Sequence, residues 1–277
     1  MSEFEVSSQL QRHDLHKLHG LGNDFLVWFR PSVPDNAASL ARAWCHRTSG
    51  LGADGLIIAI DDRSSPQFVL FNADGGQPEI SGNGLRCFGH AIAARRGLDE
   101  LIIEAMTPVG LRTVEVSQAL SMNATVAVGM GAPKPGPSLE GIDLGASIAY
   151  LRASSVDVGN PHIVITVESI DSVDIATVGA QVEAHFLPTG ANVHVIEITP
   201  AGVQMRIWER GVGVTEACGS GACAAAAVVA KAQPGKTQVV VEMPGGTARV
   251  EVDDELTLHG PSTYIAAIAS AVAPLEL

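Results

Sequence analysis

The stretch "SGNGLRCFGHAIAARRG", residues 81–97, determines how we interpret the fold of this chain. Two glycines alternate with polar residues and give way to an Ala-rich segment that ends at Gly97, a pattern typical of a turn, a helix and a glycine C-cap. A second stretch, "CGSGACAAAAVVAKA" at residues 218–232, repeats the Gly-x-Gly turn before a helix of small residues. The repeat predicts two similar halves.

Short apolar segments with turn residues at their ends surround both predicted helices. A further helix is predicted over residues 39–50, with Gly50 as its C-cap. We expect an α+β fold of two pseudo-symmetric halves, each a mostly antiparallel sheet wrapped around a central helix. The predicted strands fall within residues 14–30, 53–62, 67–76, 98–116, 124–131, 154–167, 190–198, 202–211, 237–252 and 254–268.

A segment rich in proline and glycine, residues 130–141, is the predicted linker between the halves. We therefore assign residues 1–127 to an N-terminal half and residues 128–264 to a C-terminal half.

The composition argues against several classes of partner. Seventeen basic residues oppose 30 acidic ones, the net charge is −13, and Lys and Arg form no basic cluster, so we expect no nucleic-acid partner. Lacking an 18-residue apolar run or a signal-peptide pattern, the sequence predicts a cytoplasmic protein without membrane association. The spacing of cysteines and histidines fits no metal site, and Cys45, Cys87 and Cys223 are expected to be buried apolar residues.

The residue at the start of each helix is the candidate for chemistry, Ser81 in one copy and Cys218 in the other. Unpaired N–H groups at a helix N-terminus bind anions such as carboxylates. The helix dipole there also lowers the pKa of a thiol, so Cys218 is a candidate activated nucleophile or base. Serine is a favoured N-cap, and a capping role for Ser81 is about as well supported as a functional one.

Other polar residues stand close to the predicted turns, where each alone would be an ordinary turn or cap residue. Glu209 and Arg210 end an apolar strand before the second turn, where they could pair with each other or bind the two ends of a zwitterion. The remaining candidates are Asn23, Asn72, Asn83, Asn160, His162 and Asn192.

The motifs "HGLGNDF", "FNADG", "GNGLRC", "GNPH", "ERG" and "ACGSGACAA" resemble, in order and spacing, those of the diaminopimelate epimerase family. The resemblance covers nearly the whole chain and implies cofactor-independent epimerisation of LL-diaminopimelate to meso-diaminopimelate, a precursor of lysine and peptidoglycan. It implies a site in a cleft between the halves and a last strand, within residues 265–277, that crosses back to the first half. Members are often dimers, so the resemblance favours a homodimer.

By position, the resemblance makes Cys218 one of two acid–base cysteines on opposite faces of the substrate α-carbon. It implies that Glu209 and His162 assist the thiols. The amides of Gly82, Asn83, Gly219 and Ser220 would hold the α-carboxylate. The residues implied to bind the substrate otherwise are Asn23, Asn72, Asn160, Asn192, Glu209 and Arg210.

The sequence departs from the family pattern where the second cysteine falls on Ser81, and in a smaller way at Gly55, where some members carry glutamine. A thiol with a pKa of about 8.5 can alternate between acid and base, whereas an unaided hydroxyl is a very poor base. Ser81 could be activated by a neighbour such as His162, act through a water, or be an introduced substitution. Activity would be reduced or altered if nothing compensates for it.

Three alternatives follow from Ser81: a hydroxy-amino-acid dehydratase, a racemase of another amino acid, and a variant that only binds its substrate. Pyridoxal phosphate chemistry is disfavoured because the four lysines lie at expected surface positions, and neither turn matches the Gly-x-Gly-x-x-Gly dinucleotide pattern. We therefore expect no cofactor.

Overall fold

The computed structural model describes residues 14–142, 144 and 148–268 of the chain. The chain divides into two compact units. Unit 1 consists of the residues up to Val128 together with those from Gly260 onward, and unit 2 is Gly129–His259. Of the segment 265–277 that we expect in the first half, residues 269–277 lie outside the described residues.

Unit 1 is built on seven consecutive strands and part of the last one. Its helices are α1 (Ala37–Cys45) and α2 (Gly82–Arg95). The strands are β1 (Leu15–Gly20), β2 (Asn23–Phe29), β3 (Gly55–Ile60), β4 (Gln67–Asn72), β5 (Leu101–Thr107), β6 (Gly110–Ser117) and β7 (Asn123–Gly131).

The last strand of the chain, β16 (Leu256–Ile268), completes the sheet of unit 1. The strands follow one another in chain order from β1 to β7, and β16 pairs with both β7 and β1. Within the unit, Tyr264 donates its N–H to the carbonyl of Met122. The strands therefore close into a ring.

Helix α2 lies inside this ring and packs against β1 to β6. Every residue from Gly82 to Ala94 is buried. Small residues permit the close approach, since a Cβ on Gly89 would lie 2.5 Å from Cγ1 of Val114. The core of unit 1 therefore forms around a helix that is buried on all sides.

Unit 2 repeats this organisation. Its helices are α3 (Ile175–His185) and α4 (Gly219–Ala232). The strands are β8 (Lys134–Pro135), β9 (Arg152–Asp157), β10 (Pro161–Val167), β11 (Asn192–Thr199), β12 (Gly202–Glu209), β13 (Gly213–Val214), β14 (Gln238–Met243) and β15 (Gly246–Val252). In the sheet, the order is β16-β15-β14-β12-β11-β10-β9-β8, and β13 pairs with β12.

The two units match strand for strand around their buried helices. In unit 1, β2 runs parallel to β3 and β3 antiparallel to β4; in unit 2, β10 and β11 pair in parallel and β11 and β12 antiparallel. Helix α4 packs against β9 to β12, β14 and β15. The predicted α+β fold of two pseudo-symmetric, mostly antiparallel halves around central helices is confirmed.

Several local predictions differ from the structure. Helix α1 ends at Cys45 because His46 is extended (φ −62°, ψ 122°), so Gly50 is not its C-cap. The sequence analysis also missed α3, whose Gly179 packs against the Trp208 ring. The predicted linker 130–141 holds the end of β7 and all of β8.

Candidate active site

Cys218 is the N-cap residue of α4. Its backbone is extended (φ −131°, ψ 109°), and its sulfur accepts a hydrogen bond from the N–H of Gly221 at 3.4 Å. The Ser220 hydroxyl lies 3.5 Å from the same sulfur. Gly219, Ser220 and Gly221 form the buried first turn, so the thiol lies beside the free N–H groups of a helix N-terminus.

Ser81 has the equivalent place in unit 1. It is the N-cap of α2, with nearly the same backbone angles (φ −140°, ψ 109°), and its hydroxyl accepts from the N–H of Gly84 at 3.0 Å. The sequence supported a capping role and a functional role for Ser81 about equally. The structure shows that Ser81 makes the capping hydrogen bond. Gly82 and Asn83 form the buried first turn of α2.

The expected lowering of the Cys218 pKa is wrong. Burial raises the pKa well above its ordinary value, and the Glu209 carboxylate raises it further. Hydrogen bonds from Ser220 and Gly221 act in the opposite direction but are outweighed. Cys218 is therefore a protonated thiol at neutral pH and needs a proton acceptor before it can act as a base.

Glu209, the last residue of β12, is the candidate for this acceptor. The negative charge of its carboxylate acts on the Cys218 thiol and raises the pKa of that thiol. The Thr215 hydroxyl donates to Glu209 Oε1 at 2.6 Å, which fixes the carboxylate beside the sulfur. Thiol, carboxylate and helix N-terminus thus form one chemical unit within unit 2.

Two asparagines and two histidines lie at the end of the neighbouring strands. His162 Nε2 is 2.8 Å from Asn160 Oδ1, and His162 Nδ1 is 2.8 Å from His194 Nε2. His162 on β10 is paired in register with Asn192 on β11. Burial, followed by the electrostatic effects of His194 and Arg210, holds the pKa of His162 well below its ordinary value, so the ring is neutral.

Asn192 joins the ends of three chain segments. Its Oδ1 accepts from the N–H of Arg210 at 3.0 Å, and its Nδ2 donates to the carbonyl of Pro161 at 3.1 Å. The Arg210 guanidinium donates to the carbonyl of Thr189 at 3.3 Å. The eight candidates of unit 2 therefore come together: Asn160, His162, Asn192, Glu209, Arg210, Cys218, Gly219 and Ser220.

In unit 1 a chain of polar side chains runs under the first turn of α2. Asn23 donates to Asp54 Oδ2 at 2.8 Å, and Asn83 Nδ2 donates to Asn23 Oδ1 at 3.1 Å. The fully buried Arg86 donates to Asn83 Oδ1 at 2.6 Å. Both ends of the Asn83 side-chain amide are thereby engaged within unit 1.

Asn72 ends β4 at the same end of the sheet. It is paired in register with Gly55, and Gly55 with Phe25 of β2, two residues after Asn23. Within the described ranges the Asn72 side chain has no hydrogen-bond partner. The structure thus brings together Asn23, Ser81, Gly82 and Asn83, with Asn72 on the adjoining strand.

The sequence analysis missed four residues that support these candidates: Asp54, Arg86, His194 and Thr215. One signal was readable for His194. Asn160, directly before β10, is two positions from His162 on that strand, and Asn192 and His194 are two positions apart on β11, so period two puts each pair on one face. For the other three we find no comparable signal.

The described part of the chain contains neither a metal-binding cluster nor a membrane-spanning helix. No cluster of three or more His, Cys, Asp or Glu side chains there could hold a metal ion. None of the helices described is both long and apolar enough to cross a bilayer.

The sequence profile of diaminopimelate epimerase matches residues 15–135 and 154–265. The chain is 34% identical over 273 residues to the diaminopimelate epimerase of Desulfitobacterium hafniense, covering 91% of this chain and 96% of the relative. Identity to the diaminopimelate epimerase of Desulforudis audaxviator is 37% over 270 residues, covering 90% and 96% of the two chains.

Solved structures share the fold at low identity. A predicted epimerase from Pseudomonas aeruginosa matches with a TM-score of 0.76 at 16% identity, covering 94% of this chain and all of the other. A hydroxyproline epimerase from Agrobacterium vitis, with bound trans-4-hydroxy-L-proline, matches with a TM-score of 0.69 at 14% identity over 94% and 93% of the chains. The profile match and the sequence relatives together show that the chain is an isomerase and belongs to the diaminopimelate epimerase family.

Proposed function

We propose that the chain epimerises LL-diaminopimelate to meso-diaminopimelate without a cofactor, by removing and replacing the proton on one α-carbon. The observation that carries the proposal is the Cys218 thiol at the N-terminus of α4, with the Glu209 carboxylate close enough to raise the pKa of that thiol. Membership of the family and the names of its relatives support the choice of substrate.

The carboxylate of Glu209 takes the proton of the Cys218 thiol, and the thiolate then takes the α-proton of the substrate. The α-proton of an amino acid is very weakly acidic, so the carbanion needs stabilisation. Backbone N–H groups of Gly219 and Ser220 in α4, and of Gly82 and Asn83 in α2, are assigned to the α-carboxylate, into which the negative charge spreads.

Ser81 takes the place of the second acid–base group and donates a proton to the other face of the carbanion. The resulting alkoxide recovers a proton from water, and the protonated Glu209 gives its proton to the hydroxide that remains, so protons balance over the cycle. A hydroxyl is a far weaker acid and its neutral form a far poorer base than a thiol, so this face limits turnover in both directions.

The polar side chains recognise the rest of the substrate. Arg210 and Glu209 offer opposite charges to its carboxylates and ammonium groups, and Asn23, Asn72, Asn160 and Asn192 offer amide groups. His162 is assigned a positioning role, since both its ring nitrogens are engaged by Asn160 and His194.

Incubation with LL-diaminopimelate in D₂O, followed by NMR and chiral analysis, tests the proposal. We expect deuterium at the α-carbon of the meso product, and no exchange in the Cys218→Ala variant. Deuterium that enters only the recovered LL substrate would mean that Cys218 works alone on one face. Absence of any exchange in the unmodified protein would overturn the proposal.

Ser81 favours one second candidate, the dehydration of a β-hydroxy amino acid, in which Cys218 removes the α-proton and the β-hydroxyl leaves as water. The product enamine would hydrolyse to a keto acid and ammonia. Ammonia release from hydroxy amino acids, with no release from diaminopimelate, separates this reaction from epimerisation.

A further inference from the structure

A pair of buried histidines adjoins the first turn of α4. His162 and His194 are both fully buried, and their rings stack with centroids 5.0 Å apart and an interplanar angle of 28°. Their facing nitrogens, His162 Nδ1 and His194 Nε2, are 2.8 Å apart. His162 Nε2 continues the chain to Asn160 Oδ1, also at 2.8 Å. Three side chains thus form a single line of hydrogen bonds.

The unpaired ring nitrogen of His194, at one end of this line, determines which nitrogens of the two rings carry protons. Burial lowers the pKa of His194 to about 3, so its ring is neutral and carries one N–H. Among the described residues, His194 Nδ1 is buried without a hydrogen-bond partner. An orphaned buried N–H is rarer and costlier than a bare acceptor, which puts the proton on Nε2.

The direction of every other bond is then fixed. His194 Nε2 donates to His162 Nδ1, so the single proton of the neutral His162 ring is on Nε2. That nitrogen donates to Asn160, which must present its oxygen to His162. Both N–H donors of the Asn160 amide consequently point away from His162.

The His194 ring cannot easily leave this position. A Cβ on Gly221 would lie 2.4 Å from His194 Cε1, so the ring packs directly on the backbone of the turn that Cys218 caps. His162 covers its other side. The line is thus held by the same turn that carries the thiol.

We propose that His194 is a positioning residue, which through His162 fixes the Asn160 amide with its NH₂ group available to a substrate carboxylate. The inference rests on the proposed function, in which Asn160 contacts an amino acid with two carboxylates. The opposite orientation of the amide would present an oxygen to that carboxylate and repel it. Because residue 221 is glycine, the turn leaves space for the His194 ring.

The proton positions can be measured without any activity. In protein labelled with ¹⁵N-histidine, ring nitrogens that carry a proton differ clearly in chemical shift from bare ones. We expect protons on Nε2 of both His162 and His194. A proton on Nδ1 of either ring would overturn the inference, whatever reaction the protein catalyses.

Kinetics with diaminopimelate test the effect on the substrate. His194→Leu removes the donor, and we expect KM to rise about tenfold with a small change in kcat, the loss of one hydrogen bond to a charged group. His194→Gln places an amide N–H at a similar reach and should recover most of that KM. In an Asn160→Ala background, His194→Leu should have little further effect on KM.

A buried histidine outside the line supplies the control. His90→Leu in unit 1 removes an equally buried ring and should lower stability without raising KM. Equal increases of KM in His194→Leu and His90→Leu, or an undiminished effect in the Asn160→Ala background, would mean that His194 serves packing alone. A protein that does not turn over diaminopimelate would refute the proposed function while leaving the ¹⁵N result to decide the proton positions.

Discussion

The Ser81 hydroxyl accepts a hydrogen bond from the backbone N–H of Gly84 at 3.0 Å, in the geometry of an N-cap. Cys218 receives the corresponding bond from Gly221 at 3.4 Å. Serine is among the best N-caps and cysteine is not, so the hydroxyl stabilises the start of α2 where a thiol would serve it less well. At position 81, serine therefore stabilises the helix better than cysteine would, but it is the weaker base.

Ser81→Cys tests this opposition. We expect the rate of epimerisation to rise by at least about tenfold at pH 8, because a thiol can exchange a proton there, while the free energy of unfolding falls by about 0.5–1 kcal/mol. Ser81→Ala, the control, loses both the cap and the proton donor. The reading fails if Ser81→Cys is no faster than the unmodified protein. Enzyme assays and chemical denaturation measure the two effects.

Glu209→Gln should separate the reactivity of the Cys218 thiol from catalysis. The negative charge of Glu209 raises the pKa of Cys218, so its removal lowers that pKa and moves alkylation of Cys218 by iodoacetamide to lower pH. Epimerisation should nevertheless fall by about 10²–10⁴-fold, because the proton acceptor is lost. Mass spectrometry locates the alkylated residue. A matched control is Thr215→Val, which keeps the negative charge of Glu209 and loses one hydrogen bond. If alkylation and epimerisation both became faster, or both slower, in Glu209→Gln, that result would contradict the assignment of Glu209 as the proton acceptor.

Buried neutral histidines should make the fold sensitive to acid. Burial lowers the pKa of His90 to about 4 from an ordinary 6.5, so below pH 6.5 the unfolded chain binds a proton that the folded chain does not. The stability is therefore complete above pH 6.5 and is lost as the pH falls toward 4. Denaturation at pH 7.5 and 5.0 should show a loss that is smaller by about 2 kcal/mol in His90→Leu. An identical pH dependence in both proteins would argue that His90 is protonated in the fold.

Gly221→Ala and Gly84→Ala, at matching positions of the two helices, should differ in stability. A Cβ at 221 would lie 2.4 Å from a ring that is packed on its far side, whereas a Cβ at 84 meets its nearest side-chain atoms at 3.1 Å. We expect Gly221→Ala to cost about 1–3 kcal/mol of unfolding free energy, and Gly84→Ala to be near neutral, since alanine also favours the helix. Chemical denaturation of both variants measures these changes. Equal losses of unfolding free energy would contradict the close packing of the His194 ring on Gly221.

The fold class could be predicted from the sequence because both halves contain the same local pattern. Gly-x-Gly before an Ala-rich helix is a local signal, and the strands around it are short and apolar. Helix α3 was not predicted because its apolar residues do not differ in pattern from those of the adjoining strand segments, although Asp174 caps it. The prediction of Gly50 as the C-cap is wrong, because Gly50 lies five residues beyond the last helical residue, Cys45, at the end of the turn that follows the helix.

The candidate site was predictable as a set of residue types and less so as chemistry. Spacing cannot reveal that Cys218 is buried beside a carboxylate, and the helix dipole alone suggested the wrong direction for its pKa. The hydrogen bond of Asn23 to Asp54 depends on strand register, which the sequence leaves open. The bond from Thr215 to Glu209 depends on how the chain turns back after β12. The proton positions on His162 and His194 likewise follow only from contacts.

The ring of unit 1 needs a strand that follows unit 2 in the chain, since β16 pairs with both β7 and β1. On the ribosome, β1 to β7 are made before unit 2, and the part of β16 that begins at Gly260 is made after it. Unit 2 has all of its residues as soon as His259 has been made. Unit 2 can therefore finish folding before unit 1, and β1 and β7 keep unpaired edges until β16 has been made.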